Sequence, residues 1–280
     1  MTSSATPAVA IDGLGFVYPD GTRALTGVTL SIPRGQRVAI VGQNGSGKST
    51  LVRQLNGLLR PTEGRVLIVG RDTTGRHVAQ LAAEVGLAFQ NPDRQIFAGR
   101  VRREVEFGPR NLGLRGAALD AAVTGALETT GLTQQAEANP YDLGYSRRKL
   151  LALASVLAMG TPIVVLDEPT TGQDARGVAR VQGIVTDLAA AGRTVVGISH
   201  DMRFVAESFE RVIVLRAGQL ILDGSPQEVF AEANWPSLAS TYLEPPLPAR
   251  VGAVLRLGST PTTAALVRAL VANPGDLRAW

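Results

Sequence analysis

Apolar and polar positions alternate along this chain in short blocks, and the blocks predict strands and helices in turn. Residues 9–18 and 25–32 read as two strands joined by a Pro19-Asp20-Gly21 turn. After a Pro33-Arg34-Gly35 turn, residues 37–41 form a short and almost wholly apolar strand, the pattern of a strand buried on both faces. A helix is predicted from Lys48 to about Gly57, with the glycine closing it. Residues 65–69 and 85–89 read as further strands. From Asn91 to Met159 the pattern changes: helical periodicity over about 101–112, 118–130 and 146–159, with no convincing strand. Strands return at 163–166 and 194–198, with helices at 175–191 and 202–208. A hairpin over 211–215 and 219–222 turns at Ala217-Gly218. Ser225-Pro226-Gln227-Glu228 then starts a helix, with serine as cap, proline at the first position and glutamate at the third. Beyond Trp235-Pro236 the pattern weakens. Pro245, Pro246 and Pro248 read as a linker, and residues 249–280 as a small helical tail.

Strands alternating with helices predict an α/β fold: a mostly parallel sheet with helices on both faces and a helical subdomain inserted at about 91–160. No repeat is visible. With 45% hydrophobic residues in 280, the chain can build a sizeable core. It lacks cysteine, which excludes disulfides and thiolate metal sites. The net charge of +4 comes almost wholly from arginine, since Lys48 and Lys149 are the only lysines. These arginines are scattered and aromatics are few, so a nucleic-acid partner is not expected. Residues 1–10 lack a basic region followed by an apolar core, and no signal peptide is expected. The most apolar span, 150–166, is broken by Gly160-Thr161-Pro162, so any membrane role is expected to be peripheral.

Candidate chemistry begins where the apolar strand 37–41 ends. Gly42-Gln43-Asn44-Gly45-Ser46-Gly47-Lys48-Ser49, followed by Thr50, matches G-x-x-x-x-G-K-[ST] in the required setting of strand before and helix after. Glycines let the backbone curl so that successive N–H groups converge on a phosphate, and the helix start adds its dipole and unpaired amides. Lys48 supplies a cation to the β- and γ-phosphates of a bound nucleotide, and the Ser49 hydroxyl is a ligand for Mg²⁺. Residues 163–166 run into Asp167-Glu168, two carboxylates at the end of a sheet strand, where open α/β folds bind their ligands. In these positions Asp167 would hold Mg²⁺ and Glu168 would orient or deprotonate the attacking water.

This ordered set resembles the ABC-type ATPases over roughly residues 9–230. The phosphate loop is followed by Gln90, by residues 143–149 ahead of a helix, by Asp167-Glu168-Pro169-Thr170, by Gly172-Gln173-Asp174, and by Ser199-His200-Asp201. The resemblance implies a P-loop NTPase core with an antiparallel β subdomain and the inserted helical subdomain, an ATPase domain over 1–234 and a C-terminal extension over 235–280. It implies ATP and Mg²⁺ as ligands. By the same resemblance Tyr18 would stack on adenine, and Gln90 would contact Mg²⁺ or the water and sense a transmembrane partner. His200 would touch the γ-phosphate and hold the water with Glu168, and Asp174 would lie at a dimer interface. His77, the other histidine, has no such setting and is assigned no role.

Two narrower features follow. Residues 90–97 together with Val105-Glu106-Phe107-Gly108-Pro109 are similar to the ATPase subunits of energy-coupling factor importers, which power uptake of vitamins or of cobalt and nickel ions. That implies integral-membrane partners, a second ATPase subunit and a peripheral place at the cytoplasmic face. The family's LSGGQ signature, by contrast, reads Leu143-Gly144-Tyr145-Ser146-Arg147 here. In the family this helix start binds the γ-phosphate on the facing subunit. Gly144, Tyr145 and Ser146 keep the helix start, with Ser146 available to cap it or to meet phosphate, but Tyr145 stands where a glycine would let the backbone approach. Two other classes stay open: a soluble ABC ATPase acting on nucleic acid or ribosomes, and a non-catalytic ATP-binding subunit. The single phosphate loop, the lack of a coiled-coil insertion and the intact Glu168 favour neither.

Overall fold

The computed structural model describes residues 6–273. The chain runs through β1 (Val9–Val17), β2 (Arg23–Ile32), β3 (Arg37–Val41), α1 (Lys48–Leu55), β4 (Glu63–Ile68), β5 (Arg71–Asp72), α2 (Val78–Ala82) and β6 (Val85–Ala88). Three helices follow in succession, α3 (Val101–Asn111), α4 (Gly116–Thr130) and α5 (Tyr145–Ala158). Then come β7 (Ile163–Asp167), α6 (Ala175–Ala190), β8 (Thr194–Ile198), α7 (Met202–Ser208), β9 (Arg211–Arg216), β10 (Gln219–Gly224) and α8 (Pro226–Val229). Short helices α9 (Trp235–Ala239), α10 (Leu247–Val254) and α11 (Thr263–Ala272) complete the described chain. The last seven residues of the sequence-predicted tail lie outside the described residues.

The strands form two sheets. The order β2-β1-β4-β5 is antiparallel throughout, and the order β10-β9-β3-β8-β7-β6 is parallel except for the β10 edge. Why the central strands read as continuous apolar runs is clear from their two faces. In β3, Ala39 and Val41 face one core while Val38 and Ile40 face the other; in β7, Val164 and Leu166 oppose Ile163 and Val165. The period of two persists, but both faces are apolar because helices cover both. Phe204, Phe230 and the apolar faces of α3 to α6 fill the first core, and Leu51 and Leu55 of α1 join the antiparallel sheet in the second.

Register sets the site. Ile40 pairs with Ile198, and Asp167 pairs with the same Ile198 from the other side. The three strands β3, β8 and β7 therefore end side by side, and the segments leaving them start from one sheet edge. Gly197 in β8 leaves room for the Phe209 ring, since a Cβ there would lie 2.3 Å from it.

Most predicted elements are present within two residues of their expected ends. The hairpin turns at Ala217 and Gly218, with φ of 47° and 77°, the pair of left-handed residues that a two-residue hairpin requires. The Ser225 cap forms as a reciprocal box with Glu228. One element goes beyond the sequence reading and one expectation needs correction. Helix α2 was not read from the sequence, being five residues with one buried apolar side chain, too short to show a period. Of the three prolines read as a linker, Pro246 caps α10 and Pro248 sits in its first turn, where no N–H partner is needed. Near the start of the helical subdomain three arginines form ion pairs, Arg100 with Glu137, Arg102 with Asp120 and Glu106, and Arg103 with Glu106, with Arg100 and Arg103 still largely exposed.

Candidate nucleotide site

The phosphate loop leaves β3 at Gly42 under tight steric constraint. A Cβ on Gly42, at φ 150°, would lie 2.2 Å from the Leu215 carbonyl oxygen. Gly45 and Gly47 follow at φ 79° and 100°, so the loop curls through conformations that side chains rarely adopt. Gly47 forms the N-terminal boundary of α1. The curl opens a hollow of ≈ 340 Å³ lined by Asn44, Gly45, Gly47, Lys48, Ser49 and Thr50 on one side and by Gln90, Asp167 and Glu168 on another. Tyr18 closes a third side. Its hydroxyl is 2.9 Å from Thr50 Oγ1 and its ring meets Phe16 edge to face at 4.8 Å. A second hollow, lined by Arg53, Gln90, Asp93, Arg94, Tyr145 and Asp167, adjoins it, and Gln90 and Asp167 border both.

Charges in the hollow are packed closely. Lys48 is buried, and its Nζ donates to the Gly42 and Gln43 carbonyls at 2.7 and 2.8 Å. Burial pushes its pKa below that of an ordinary lysine, and the nearby Glu168 and Asp167 oppose the shift. Burial likewise pushes the Asp167 carboxyl above the usual carboxylate range; the Ser49 hydrogen bond opposes this and the Glu168 charge adds to it. Ser49 Oγ donates to Asp167 Oδ2 at 3.2 Å, while Asp167 Oδ1 is buried without a partner. Ser46 Oγ is buried and unpartnered too. A hydroxyl, a carboxylate with a bare oxygen, and a nest of amides fit a Mg²⁺–triphosphate: hard oxygen donors for the metal, N–H groups for the anion. No cluster of three or more His, Cys, Asp or Glu occurs among the described residues.

Glu168 follows β7 at φ 52°, a strained position for a non-glycine residue. Its N–H donates to the Ile198 carbonyl at 2.9 Å, and its own carbonyl accepts from Lys149 Nζ. Its carboxylate meets His200 Nδ1 at 2.7 Å and accepts from Thr171 Oγ1 at 3.3 Å. The sequence brought Glu168 and His200 to one site. It did not indicate that they touch, nor that Lys149 and Thr171 hold the same turn. Lys149 was legible as one of two lysines, but nothing in its spacing pointed to Glu168.

The altered signature is also in place at the start of α5, with corrections. Gly144 is the cap position, and no side chain caps the helix. Ser146 does not cap: its hydroxyl donates to Gln173 Oε1 at 2.7 Å, and Gln173 Nε2 donates back to the Ser146 carbonyl at 3.0 Å. The Tyr145 ring lies over Gly172, where an added Cβ would come within 2.8 Å of it. Asp174 caps α6 by accepting from the Gly177 N–H at 2.7 Å. His77 starts α2, its N–H donating to Gln80 Oε1.

The ABC transporter family profile matches residues 25–171, more than half of the chain. The energy-coupling factor transporter ATP-binding protein EcfA of Methanothermobacter thermautotrophicus is 41% identical over 84% of this chain and 76% of its own length. Among solved structures, cbiO1 from Clostridium perfringens, described as part of the ABC transporter complex cbiONQ, matches with TM-score 0.75 and 33% identity over 90% of this chain and 99% of that one. The ATP-binding cassette MJ0796, solved as a dimer in a post-hydrolysis state with ADP and Pi, matches with TM-score 0.72 and 27% identity over 78% and 98%. Similarity that spans both the phosphate loop and the Asp167-Glu168 strand end, at this coverage, places the chain in the ABC transporter family as an ATPase that uses ATP with Mg²⁺.

Proposed function

We propose that this chain is the ATP-hydrolysing subunit of a membrane importer of the energy-coupling factor type. It works as one of two ATPase subunits docked on integral-membrane partners at the cytoplasmic face. The cargo, a vitamin or a cobalt or nickel ion, is bound by another subunit. The similarity to EcfA and to cbiO1 supports the transporter type, and the dimeric MJ0796 supports the pairing. Among the described residues no helix is long and apolar enough to cross a membrane, which suits a peripheral subunit. In this reading residues 1–234 are the ATPase domain and 235–280 an extension.

One observation carries the catalytic part: Glu168 faces the hollow beside the phosphate loop with His200 on its carboxylate at 2.7 Å. The loop and α1-start amides without an internal partner, together with the α1 dipole, hold the phosphates, with Lys48 turning from its loop carbonyls to the β- and γ-oxygens. Ser49 and Asp167 would hold Mg²⁺, which would supply positive charge beside the phosphate oxygens when bound. Glu168 orients and accepts a proton from water, and His200 keeps the carboxylate aimed. Tyr18 offers its ring to adenine. Gln90 borders both the nucleotide hollow and its neighbour, so it senses the site from the edge of the helical subdomain. Asp174 and the Gly144-Tyr145-Ser146 helix start face the second ATPase subunit. Purification of the intact membrane complex, identification of its subunits and assay of ATP-driven uptake test this. A complex in which this chain neither retains nor cleaves ATP overturns it.

A further inference from the structure

The phosphate loop is held from behind by the C-terminal extension. The Gln43 N–H points away from the hollow and donates to Thr241 Oγ1 at 3.0 Å. Thr241 Oγ1 in turn donates to the Leu215 carbonyl at 3.4 Å, near the end of β9. Thr241 is completely buried. A single hydroxyl therefore spans three parts of the chain: the loop, the central sheet and the turn after α9.

That turn is firmly built. The Leu243 and Tyr242 N–H groups return to the Leu238 and Ala239 carbonyls at 3.1 and 3.0 Å, with Tyr242 left-handed at φ 55°. This is the Schellman pattern of helix termination, and Leu238 and Leu243, the positions of its usual apolar pair, are both buried in the first core. Arg216 Nη1 donates to the adjacent Ser240 Oγ at 2.8 Å, and the Trp235 indole N–H donates to the Phe230 carbonyl at 3.0 Å. Thr241 thus has little freedom to leave.

The second side of the Gln43 peptide is held by Lys48, whose Nζ donates to the Gln43 carbonyl at 2.8 Å. If Lys48 turns to a bound triphosphate, that contact is given up. The Ser46 N–H still donates to the Gln43 carbonyl at 3.1 Å, and Thr241 holds the Gln43 N–H on the rear side. We propose that Thr241 is a positioning residue for ATP: its hydroxyl fixes the rear of the phosphate loop, so that seating of the C-terminal extension and nucleotide affinity are coupled. This rests on ATP binding at the loop. By linkage the coupling runs both ways, so ATP should tighten the turn after α9 as much as that turn tightens ATP.

The test uses the full chain with ATP and Mg²⁺ as the probe. Thr241→Val keeps the shape but leaves the part-buried Gln43 N–H without its partner, and is expected to weaken ATP about tenfold, with kcat at saturating ATP changed less than about twofold. Thr241→Ser is expected to restore affinity to within about twofold. Without nucleotide, amide exchange at Gln43 should rise in the valine variant and not in the serine one. In the unaltered chain, adding ATP should slow exchange over residues 238–243, a reading available even if the valine variant does not fold. Unchanged affinity and exchange in the valine variant overturn the proposal, as does an ATP-insensitive turn in the unaltered chain. If the unaltered chain fails to bind ATP, the nucleotide reading falls, while the Gln43 exchange comparison still decides whether Thr241 anchors the loop.

Discussion

His200 Nδ1 lies 2.7 Å from Glu168 Oε2, and the two side chains differ sharply in exposure, 66% for the histidine and 10% for the glutamate. A buried carboxylate is thus approached from the open side by an imidazole leaving the neighbouring strand. Glu168→Gln retains the shape but cannot take a proton. Hydrolysis is expected to fall about 10²–10⁴-fold with ATP binding retained, so an ATP-bound dimer should accumulate on size-exclusion chromatography. Hydrolysis within twofold of the parent would remove Glu168 from the mechanism.

His200→Ala removes the aim rather than the base. Thr171 Oγ1 stays on the carboxylate at 3.3 Å, so Glu168 is less ordered but still present. A kcat loss of about 10²-fold with little change in KM for ATP is expected, the cost of a carboxylate displaced by about an ångström. A loss confined to KM would mean that the histidine serves binding alone.

Asp167 allows a prediction whose sign can be worked out. Burial raises its pKa in the fold above the unfolded value, so the charged form opposes folding. That penalty is present above the folded pKa and is relieved as pH falls through it. Asp167→Asn, which carries no charge, should therefore raise the Tm of the metal-free protein at neutral pH by a few degrees while abolishing Mg²⁺-dependent ATP hydrolysis. In the unaltered protein protons compete with the metal, so Mg²⁺ affinity should drop by about tenfold per pH unit below the raised pKa. A lower Tm for the asparagine variant contradicts this account of burial.

Much of this was legible because local chemistry and tertiary role coincide. The run Val38-Ala39-Ile40-Val41 is apolar on both faces since both are covered, and a glycine-rich curl after it has few purposes besides phosphate. Relations across the chain were not legible. Ser146 reads as a cap by residue type, yet Gln173, 27 positions away, takes its hydroxyl. Thr241 lies 198 positions from Gln43, and no periodicity links a threonine after a short helix to a loop amide. Glu168 at φ 52° is equally silent in sequence, because the backbone there is set by the Ile198 carbonyl and by Lys149.

Two glycines of the loop separate steric from conformational cost. Gly42→Ala drives a Cβ to 2.2 Å from a strand carbonyl that cannot yield, so a loss of about 1–3 kcal/mol and of detectable ATP binding is expected. Gly45 has open space around its Cβ position but φ of 79°. Gly45→Ala should cost only about 1 kcal/mol, the conformational penalty, with ATP still bound. Denaturant unfolding beside ATP titration distinguishes the two, and equal effects would show that the close approach at Gly42 is not what fixes the loop.

The altered signature leads to the last prediction. Donors at a helix start that meet the γ-phosphate of the facing subunit act where charge develops, and removing one such donor typically costs about 10²–10³ in rate. Here the glycine that permits that approach is Tyr145. Its ring lies on Gly172, and α5 is tied to the segment after β7 by the Ser146–Gln173 pair and by Lys149, which donates to the Glu168 and Thr171 carbonyls. The helix start is therefore rigid and carries a bulky residue at its first turn. This chain has its own Lys48, Glu168 and His200, so under the proposed pairing, in which Tyr145 faces a second subunit's phosphate loop, the slow site of a heterodimer should be that partner loop. Single-site turnover, measured with Glu168→Gln in this chain and the equivalent change in its partner, should differ by about tenfold or more. Tyr145→Gly should raise the slower rate and leave the faster one unchanged. Equal rates at the two sites would refute the asymmetry, as would a Tyr145→Gly variant that slows both.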